Sequence, residues 1–247
     1  MDARAVRTIL SRNPYPHRYT LGMFYREKMR AIASILPAGD FRNVLDVVGG
    51  RSSLSSILFP SARIVNVDTD PEIARAWPRM KTSVRLVPGS ATGLPIRTGA
   101  FDCVTAFDVL EHVPNHALAV GEIGRVLKPG GVTLVTVPTL NFRHPYYSFP
   151  FRRFCYPEDE ITAVWGHVRR GYQLDQLCRL FSGFALAGTA SYLNPLTVIA
   201  HDVSFSKLSE SWRRALILLQ YPITLIGYAL GSPGPRLGLA AAFRKVR

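Results

Sequence analysis

Five short apolar runs, separated by stretches with helical spacing, constrain the fold of this chain more than any other feature. Near-continuous β-branched runs of this kind are typical of strands buried on both faces of a parallel sheet. Joined through helices, such strands form βαβ units. The pattern therefore predicts an α/β fold with a doubly wound sheet. In chain order the runs are VLDVV, RIVNVD, VRLVPGS, FDCVTAFDVL and VTLVTVPT, beginning at Val44, Arg63, Val84, Phe101 and Val132.

Helix signals surround these runs. Apolar positions recur at helical spacing over Tyr25–Leu36, so residues 1–36 are interpreted as an N-terminal helical lead-in. An amphipathic helix is predicted over His116–Leu127, where a Lys-Pro-Gly-Gly sequence ends it. A second, short helix is predicted over Leu174–Phe181.

Two further strand-like runs, Ala185–Leu193 and Leu237–Val246, enclose an insertion. The stretch after the fifth run is rich in aromatic residues, proline and arginine, which is typical of a loop or cap rather than of a core sheet. We predict four units, namely the lead-in, a main domain, a cap region within it and the insertion, over residues 1–36, 37–193 with 237–247, 139–171 and 194–236.

The insertion contains a long uncharged segment. Ala215–Leu230 has no charged side chain over sixteen residues and has arginines on both sides, namely Arg213, Arg214 and Arg236. A membrane span needs about 20 apolar residues, and a proline interrupts this shorter segment. The pattern favours a re-entrant or interfacial helical hairpin that contacts a membrane through residues 211–236, with arginines at the headgroups. A buried helix or a dimer face is the alternative.

The charge balance indicates which kinds of partner the protein could bind. The 247 residues include 30 Lys and Arg against 17 Asp and Glu, which gives a formal net charge of +13. Most of the positive charge is arginine, which favours contact with the phosphates of a nucleic acid or of an anionic membrane surface. A generally basic composition without a specific partner is the other interpretation.

The cysteines and the N-terminus indicate the compartment. Cys103, Cys155 and Cys178 have neither CxxC nor metal-like spacing, which favours a reducing environment over a disulfide framework. The spacing of histidines and carboxylates also predicts no metal site. The first residues carry arginines without the apolar run of a secretory signal. We therefore expect a cytoplasmic protein, peripheral on the inner face of the membrane.

A glycine turn after the first run indicates a nucleoside site. The sequence VLDVVGGRSSL contains Asp46, then Gly49 and Gly50, and then a helix-compatible segment. Backbone N–H groups at such a turn face a ligand. About twenty residues later the second run ends in Asp68, a spacing that suits a carboxylate on ribose hydroxyls.

In this order the motifs resemble those of class I S-adenosylmethionine-dependent methyltransferases of the small-molecule type. VLDVVGG is similar to the first glycine motif, and Asn66–Glu72 (NVDTDPE) is similar to the acidic end of the second strand. GSATGLPIRTGAFDCVTAFDVLEHVPN resembles the third and fourth motifs, and Glu122–Pro138 (EIGRVLKPGGVTLVTVP) resembles the next helix and the fifth strand. Gly166–Phe184 is similar to the late helix and strand of methyltransferases in glycan, lipid and quinone pathways.

The resemblance implies a Rossmann-like, seven-stranded sheet whose last strand is antiparallel and lies beside the fifth. It implies S-adenosylmethionine as the cofactor, with Asp68 on both ribose hydroxyls and Asp46 ordering the loop near the methionine amino group. Ser90 stands where the family usually has an acidic residue for the adenine. The implied cofactor-binding residues are Asp46, Gly49, Gly50, Asp68, Thr69, Ser90, Ala91 and Phe107.

Three residues of the glycine loop depart from the family pattern. Val48 stands at the usual first glycine and Ser52 at the usual third, while Arg51 brings a long cation into the loop. Either Val48 packs inward and the loop still binds the cofactor, or the cofactor site is weakened or lost.

The candidate catalytic residues follow the fourth run. His112 is the preferred general base for an acceptor hydroxyl, and a histidine that only caps or packs at a helix start is the alternative. Glu111 and Asp108 are weaker base candidates, and Asp108 could instead hold the cofactor side. A polar and aromatic set in the cap could grip an acceptor phosphate or carboxylate, or form an ordinary solvated face: His144, Tyr146, Tyr147, Arg152, Arg153 and His167.

The predicted function is methyl transfer from S-adenosylmethionine to an oxygen or carbon of a lipid-linked, isoprenoid or glycan acceptor at a membrane surface. Two alternatives stay open. A nucleic-acid methyltransferase would use the arginines, although the fourth run ends in FDVLEH rather than in a motif for base amines. A methyltransferase-like scaffold without activity would keep the fold for its interaction surface.

Overall fold

The computed structural model describes residues 21–50, 54–70, 84–140, 151–204, 206–230 and 236–246. One seven-stranded sheet organises them, in the order β3-β2-β1-β4-β5-β7-β6. The strands are β1 (Asn43–Val47), β2 (Arg63–Asp68), β3 (Val84–Pro88), β4 (Phe101–Phe107), β5 (Leu127–Pro138), β6 (Phe184–Tyr192) and β7 (Gly238–Lys245).

The first five strands are parallel, and all five contain the predicted apolar runs or most of them. Two buried hydrophobic clusters cover the two faces of the sheet, so that Leu45 belongs to one cluster and its neighbour Val44 to the other. This alternation explains why β1 is apolar at successive positions. β5 begins at Leu127, earlier than the predicted run, because it pairs with Phe101 before a register shift in β4.

The last two strands complete the sheet in antiparallel fashion. β7 pairs with β5 on one side and with β6 on the other. The strand predicted over Leu237–Val246 is therefore confirmed, and so is its expected place beside the fifth strand. Its centre, Ala240–Ala242, is fully buried.

Three of the described helices agree with the predicted helical segments within a few residues, and the first 20 residues of the predicted lead-in lie outside the described residues. α1 (Leu21–Ile35) packs against β6 and β7, and α2 (Leu54–Leu58) follows the glycine turn. α3 (His116–Val126) begins at Asn115, whose side chain accepts a hydrogen bond from Leu118 N, as is typical of an N-cap. α4 (Glu158–Val164) lies in the predicted cap, and α5 (Leu174–Leu180) is the predicted short helix.

The insertion forms two helices that pack against each other, α6 (Pro195–Ser204) and α7 (Glu210–Leu230). α7 is longer than the predicted uncharged segment and continues through Pro222. No helix in the described part of the chain combines the length and apolarity that crossing a membrane requires. Arg51 and Ser52 of the glycine loop, and His144, Tyr146 and Tyr147 of the cap, lie outside the described residues.

Candidate cofactor and acceptor site

Val48 follows β1 with a left-handed backbone. Its φ is 52°, and that of Gly50 is 56°. A β-branched residue in this region is strained by about 1–3 kcal/mol, which explains why the related family usually has glycine here. The turn is held in place because Val48 N donates to Val67 O at 2.7 Å and the side chain packs against the core. Val48 thus packs inward, while cofactor binding by this loop stays a prediction.

Asp46, near the end of β1, is buried but only half satisfied. Its side chain is 2% exposed, and Oδ1 accepts a hydrogen bond from Thr105 Oγ1 at 2.7 Å. Oδ2 accepts none from any residue that the structure describes. Burial above all raises the pKa of Asp46 to about 6. A buried acceptor without a donor is costly, so Oδ2 is suited to a ligand that brings a donor or a positive charge.

Gly49 lies directly over this free oxygen. A Cβ at position 49 would stand 2.3 Å from Asp46 Oδ2 and 3.0 Å from Asn66 Oδ1. The same Asn66 oxygen accepts a hydrogen bond from Gly49 N at 3.0 Å. Any larger residue would therefore displace the loop, and glycine keeps the backbone open beside the carboxylate.

Asp68 ends β2 and joins two turns. Its Oδ2 accepts from Gly50 N at 3.2 Å, and its Oδ1 accepts from Asp70 N at 3.0 Å. Each carboxylate oxygen has a second lone pair, so both bonds are compatible with a ribose hydroxyl. Thr69 beside it is exposed.

The other cofactor candidates lie at the same edge of the sheet, where the parallel strands β1 to β4 end. Ala91 is buried after β3, while Ser90 is exposed and its Oγ lies 3.0 Å from Thr92 Oγ1. Phe107 is half-buried at the end of β4. Ligands of doubly wound folds bind at this edge. The free Asp46 oxygen, the cradle at Gly49 and the Asp68 carboxylate fit S-adenosylmethionine, which has an ammonium, a methionine chain and a ribose to place there.

Asp108 follows β4, and both of its carboxylate oxygens have partners. Lys28 Nζ, which is 2% exposed on α1, forms an ion pair with Oδ2. Oδ1 accepts from Thr136 Oγ1 at 2.8 Å and from Tyr192 OH at 3.4 Å. Asp108 also has a positive φ of 53°, which an aspartate tolerates. These contacts let Asp108 join α1, β5 and β6 at the end of β4, and its use as a base stays a prediction.

Glu111 and His112 come next and meet a residue of the cap. Glu111 is 0% exposed, and burial, followed by the charge of Asp108, raises its pKa well above the ordinary value. His112 is exposed, and its ring centre lies 4.6 Å from that of His167. Burial above all lowers the pKa of His167 to about 4, so this ring is neutral at pH 7.

His112 has a defined tautomer. Its Nδ1 lies 3.2 Å from the carbonyl oxygen of Gly166, which can only accept. The hydrogen therefore resides on Nδ1, and Nε2 keeps a lone pair for a proton or another ligand. This geometry is compatible with the role of His112 as a base, which stays a prediction.

Arg169 holds the loop that carries these residues. Its guanidinium donates to the carbonyl oxygens of Leu110, Val113 and Pro114, the last two at 2.7 and 2.8 Å. Tyr172 OH donates to Leu110 O at 3.0 Å as well. Sequence reasoning missed Lys28, Arg169 and Tyr172. It singled out His167 only as a member of the cap.

The sheet order, the glycine turn and the carboxylates at the strand ends define a class I, Rossmann-like methyltransferase fold. Comparison with known proteins agrees. Residues 45–135 match the methyltransferase domain family. An S-adenosylmethionine-dependent methyltransferase from Mesorhizobium loti has the same fold at a TM-score of 0.60 and 14% identity, over 90% of this chain and 100% of that one. The N-methyltransferase NodS from Bradyrhizobium japonicum, in complex with S-adenosylhomocysteine, has a TM-score of 0.56 and 14% identity. The match covers 99% of this chain and 97% of that one.

Of two sequence relatives, one is a methyltransferase and the other is uncharacterized. A demethylmenaquinone methyltransferase from Staphylococcus aureus is 31% identical over 106 residues, which are 40% of this chain and 44% of that protein. An uncharacterized 37.1 kDa transposon protein from Streptomyces fradiae is 28% identical over 161 residues, 61% of this chain and 43% of its own length. The chain thus spans less than half the length of these two relatives. Residues 45–135 thus match a methyltransferase domain, and the fold is that of class I S-adenosylmethionine-dependent methyltransferases.

Proposed function

We propose that the protein transfers a methyl group from S-adenosylmethionine to an oxygen, or a carbon, of a lipid-linked, isoprenoid or glycan acceptor at a membrane surface. The observation that carries the proposal is an apolar face of α7 that points away from the protein. A relative that is a demethylmenaquinone methyltransferase supports an acceptor of the quinone type.

The cofactor, when bound, supplies an electrophilic methyl group on its sulfonium. Asp46 Oδ2 would accept a hydrogen bond from its ammonium group, and Gly49 and Gly50 would leave room for the methionine chain. Asp68 would accept hydrogen bonds from the ribose hydroxyls. His112 Nε2 is the atom suited to take the proton of an acceptor hydroxyl, since its Nδ1 is held by the Gly166 carbonyl.

The outward side of α7 is apolar, which is the reverse of an ordinary surface helix. Its inward side carries Thr224, which is 1% exposed, and Gly227, which lies against Leu196 of α6. We call the exposed side chains the α7 apolar face. They are between 41% and 78% exposed and comprise Trp212, Leu218, Leu219, Ile223, Leu225 and Ile226. Contiguous apolar patches of this kind mark an interaction surface.

Charge favours an anionic lipid surface as the occupant of this face. Arg213 and Arg214 lie in the first turns of α7, and the whole chain carries a net charge of +13. An interfacial helix buries its apolar side at the level of the acyl chains while nearby arginines meet lipid phosphates. Each such arginine contributes about 1 kcal/mol at an anionic surface.

The two insertion helices border the acceptor side of the site. Asn194 lies two residues after Tyr192, the last residue of β6, and its Nδ2 donates to Gly227 O at 3.0 Å, which ties α7 to that strand end. The ring of Trp165 lies 5.7 Å from that of His201 on α6 and 5.6 Å from that of His167. A helix resting on lipid would therefore bring an acceptor with an apolar tail close to His112 and His167.

Cofactor binding is tested by calorimetric titration with S-adenosylmethionine. We expect saturable binding by the wild-type chain, and at least tenfold weaker binding by Asp68→Ala because the ribose loses its acceptor. Asp175→Ala, which removes an exposed carboxylate on α5, serves as the control and should bind normally. Absence of binding by the wild type would instead favour the scaffold alternative.

Membrane contact is tested by cosedimentation with vesicles of phosphatidylglycerol or of phosphatidylcholine alone. The wild type should sediment with the anionic vesicles, and Leu219→Glu should remain in solution because it places a charge on the most exposed part of the α7 apolar face. Leu118→Glu is the matched control, since Leu118 is 49% exposed on α3. Equal sedimentation of both variants and the wild type would contradict the proposal.

Transfer itself is tested with S-adenosylmethionine that carries a labelled methyl group. Reduced quinones, polyprenyl alcohols and lipid-linked glycans would be presented in anionic vesicles, and labelled product is expected from one of these classes. Transfer only to soluble acceptors, at equal rates with and without vesicles, would exclude a membrane-bound substrate.

A further inference from the structure

Three side chains of metal-binding type meet on the acceptor side of the site. A carboxylate oxygen of Glu111 and ring nitrogens of His112 and His167 all lie within 4.8 Å of one another. Two of them come from the loop after β4, and the third comes from the turn that follows α4, 55 positions later in the chain. We propose that Glu111, His112 and His167 bind a divalent transition-metal ion, with zinc as the probe for the site.

The strongest support is the state of Glu111. The side chain is 0% exposed, and neither of its carboxylate oxygens receives a hydrogen bond from any other described residue. Two cations lie close enough to act on its charge, but both are already engaged: Lys28 with Asp108, and Arg169 with three carbonyl oxygens. A buried carboxylate without a donor is costly, and a bound cation would satisfy both oxygens.

The two histidines complete a known donor set. Nδ1 of His112 is held by the Gly166 carbonyl, which leaves Nε2 as the ligand atom and fixes the ring. Two imidazoles and one carboxylate are the protein ligands of catalytic zinc and of non-haem iron, with further positions open. At bond lengths of about 2.0–2.1 Å the donor atoms lie about 3.4 Å apart, so small rotations of the side chains would close the site.

An ion can reach this cluster from solvent. His112 is exposed and His167 is half-buried, while Glu111 lies beneath them. The open coordination positions then face the acceptor side. If the proposed methyl transfer is correct, an acceptor hydroxyl bound to the ion would ionise more readily and release its proton to solvent. The acceptor atom would then be oxygen, and His112 would hold the ion rather than take the proton.

The test is a zinc titration, measured by calorimetry, of tag-free protein that has been dialysed against a chelator. We expect one equivalent to bind, and cobalt to give the visible absorption of a site with nitrogen and oxygen ligands. Glu111→Gln and His167→Ala should each weaken zinc binding at least tenfold. His116→Ala is the matched control and should bind as the wild type does, because His116 contacts Tyr172 outside the cluster.

Two measurements make the outcome decisive. The thermal midpoint of each metal-free variant and its affinity for S-adenosylmethionine show whether it is folded. If His167→Ala does not fold, Glu111→Gln still tests the site, because glutamine retains the shape of the glutamate side chain. Zinc binding by the wild type no tighter than millimolar, or equal binding by wild type and Glu111→Gln, would overturn the proposal. Zinc binding without S-adenosylmethionine binding would leave the metal site in place and reject the methyltransferase activity.

Discussion

Asp46 and Asp108 lie at the ends of neighbouring parallel strands, β1 and β4, yet their surroundings differ sharply. Asp108 has an ion pair with Lys28 and two hydroxyl donors. Asp46 is more deeply buried and keeps one oxygen without a donor among the described residues. The comparison teaches that two aspartates at one sheet edge can serve different purposes: one is a structural anchor, and the other is prepared for a ligand.

The largest change in stability is expected when Asp108 loses the cation with which it pairs. Lys28→Met should lower the free energy of unfolding by about 3 kcal/mol, because it removes a cation that is 2% exposed and therefore pairs with Asp108 out of reach of solvent screening. Urea denaturation measures the change. Lys128→Met is the matched control, since the side chain of Lys128 is 44% exposed, solvent screens its ion pair with Asp102, and removing it should cost at most about 1 kcal/mol. Equal losses in the two variants would show that Lys28 is not an anchor.

A smaller effect of opposite sign is expected at Asp46. Its pKa in the folded protein, about 6, lies above the ordinary 3.8, so its contribution to stability is complete below pH 4 and is lost as the pH rises through 6. Asp46→Asn removes this loss. Without ligand at pH 7 the variant should be more stable than the wild type, by on the order of 2 kcal/mol.

Ligand binding provides the control for Asp46→Asn. The affinity of the wild type for S-adenosylmethionine should increase between pH 5 and pH 7, as the carboxylate ionises. Asp46→Asn should bind at least tenfold more weakly at pH 7 and show a flatter pH profile. A variant that is less stable than the wild type and binds normally would mean that the buried oxygen does not await a ligand.

The smallest effect separates strain from packing at Val48. Val48→Ala loses packing and keeps the left-handed strain, whereas Val48→Gly loses both. The glycine variant should therefore be more stable than the alanine variant by about 1 kcal/mol, which thermal unfolding can resolve. A more stable alanine variant would contradict a strained backbone at this position.

The same comparison shows what sequence can reveal. The parallel strands and the glycine turn were predictable because β-branched runs, a paired glycine and strand-end aspartates act within a few residues of one another. Asp46 and Gly49 belong to that local signal. The partners of Asp108 do not, since Lys28 is 80 positions away and Tyr192 is 84 positions away.

The contacts on the acceptor side were equally unpredictable, because they join residues that are distant in the sequence. Arg169 reaches Leu110 across 59 positions, and His167 meets His112 because the cap folds back onto the loop that follows β4. No spacing rule connects such residues. One signal was available for Lys28: it directly precedes Met29 in a helix whose buried positions are otherwise mostly apolar, and a charged residue there requires a partner.

The position of β7 has a consequence for how the chain is made. β6 pairs with β7, which comes last in chain order among the seven described strands of the sheet, so during synthesis β6 waits for its partner while the rest of the sheet assembles. Until Gly238–Lys245 emerges, the edges of β5 and β6 present unpaired backbone groups, which are templates for aggregation. A nascent chain that stalls shortly before this strand would therefore be a substrate for chaperones, although its cofactor edge is already complete.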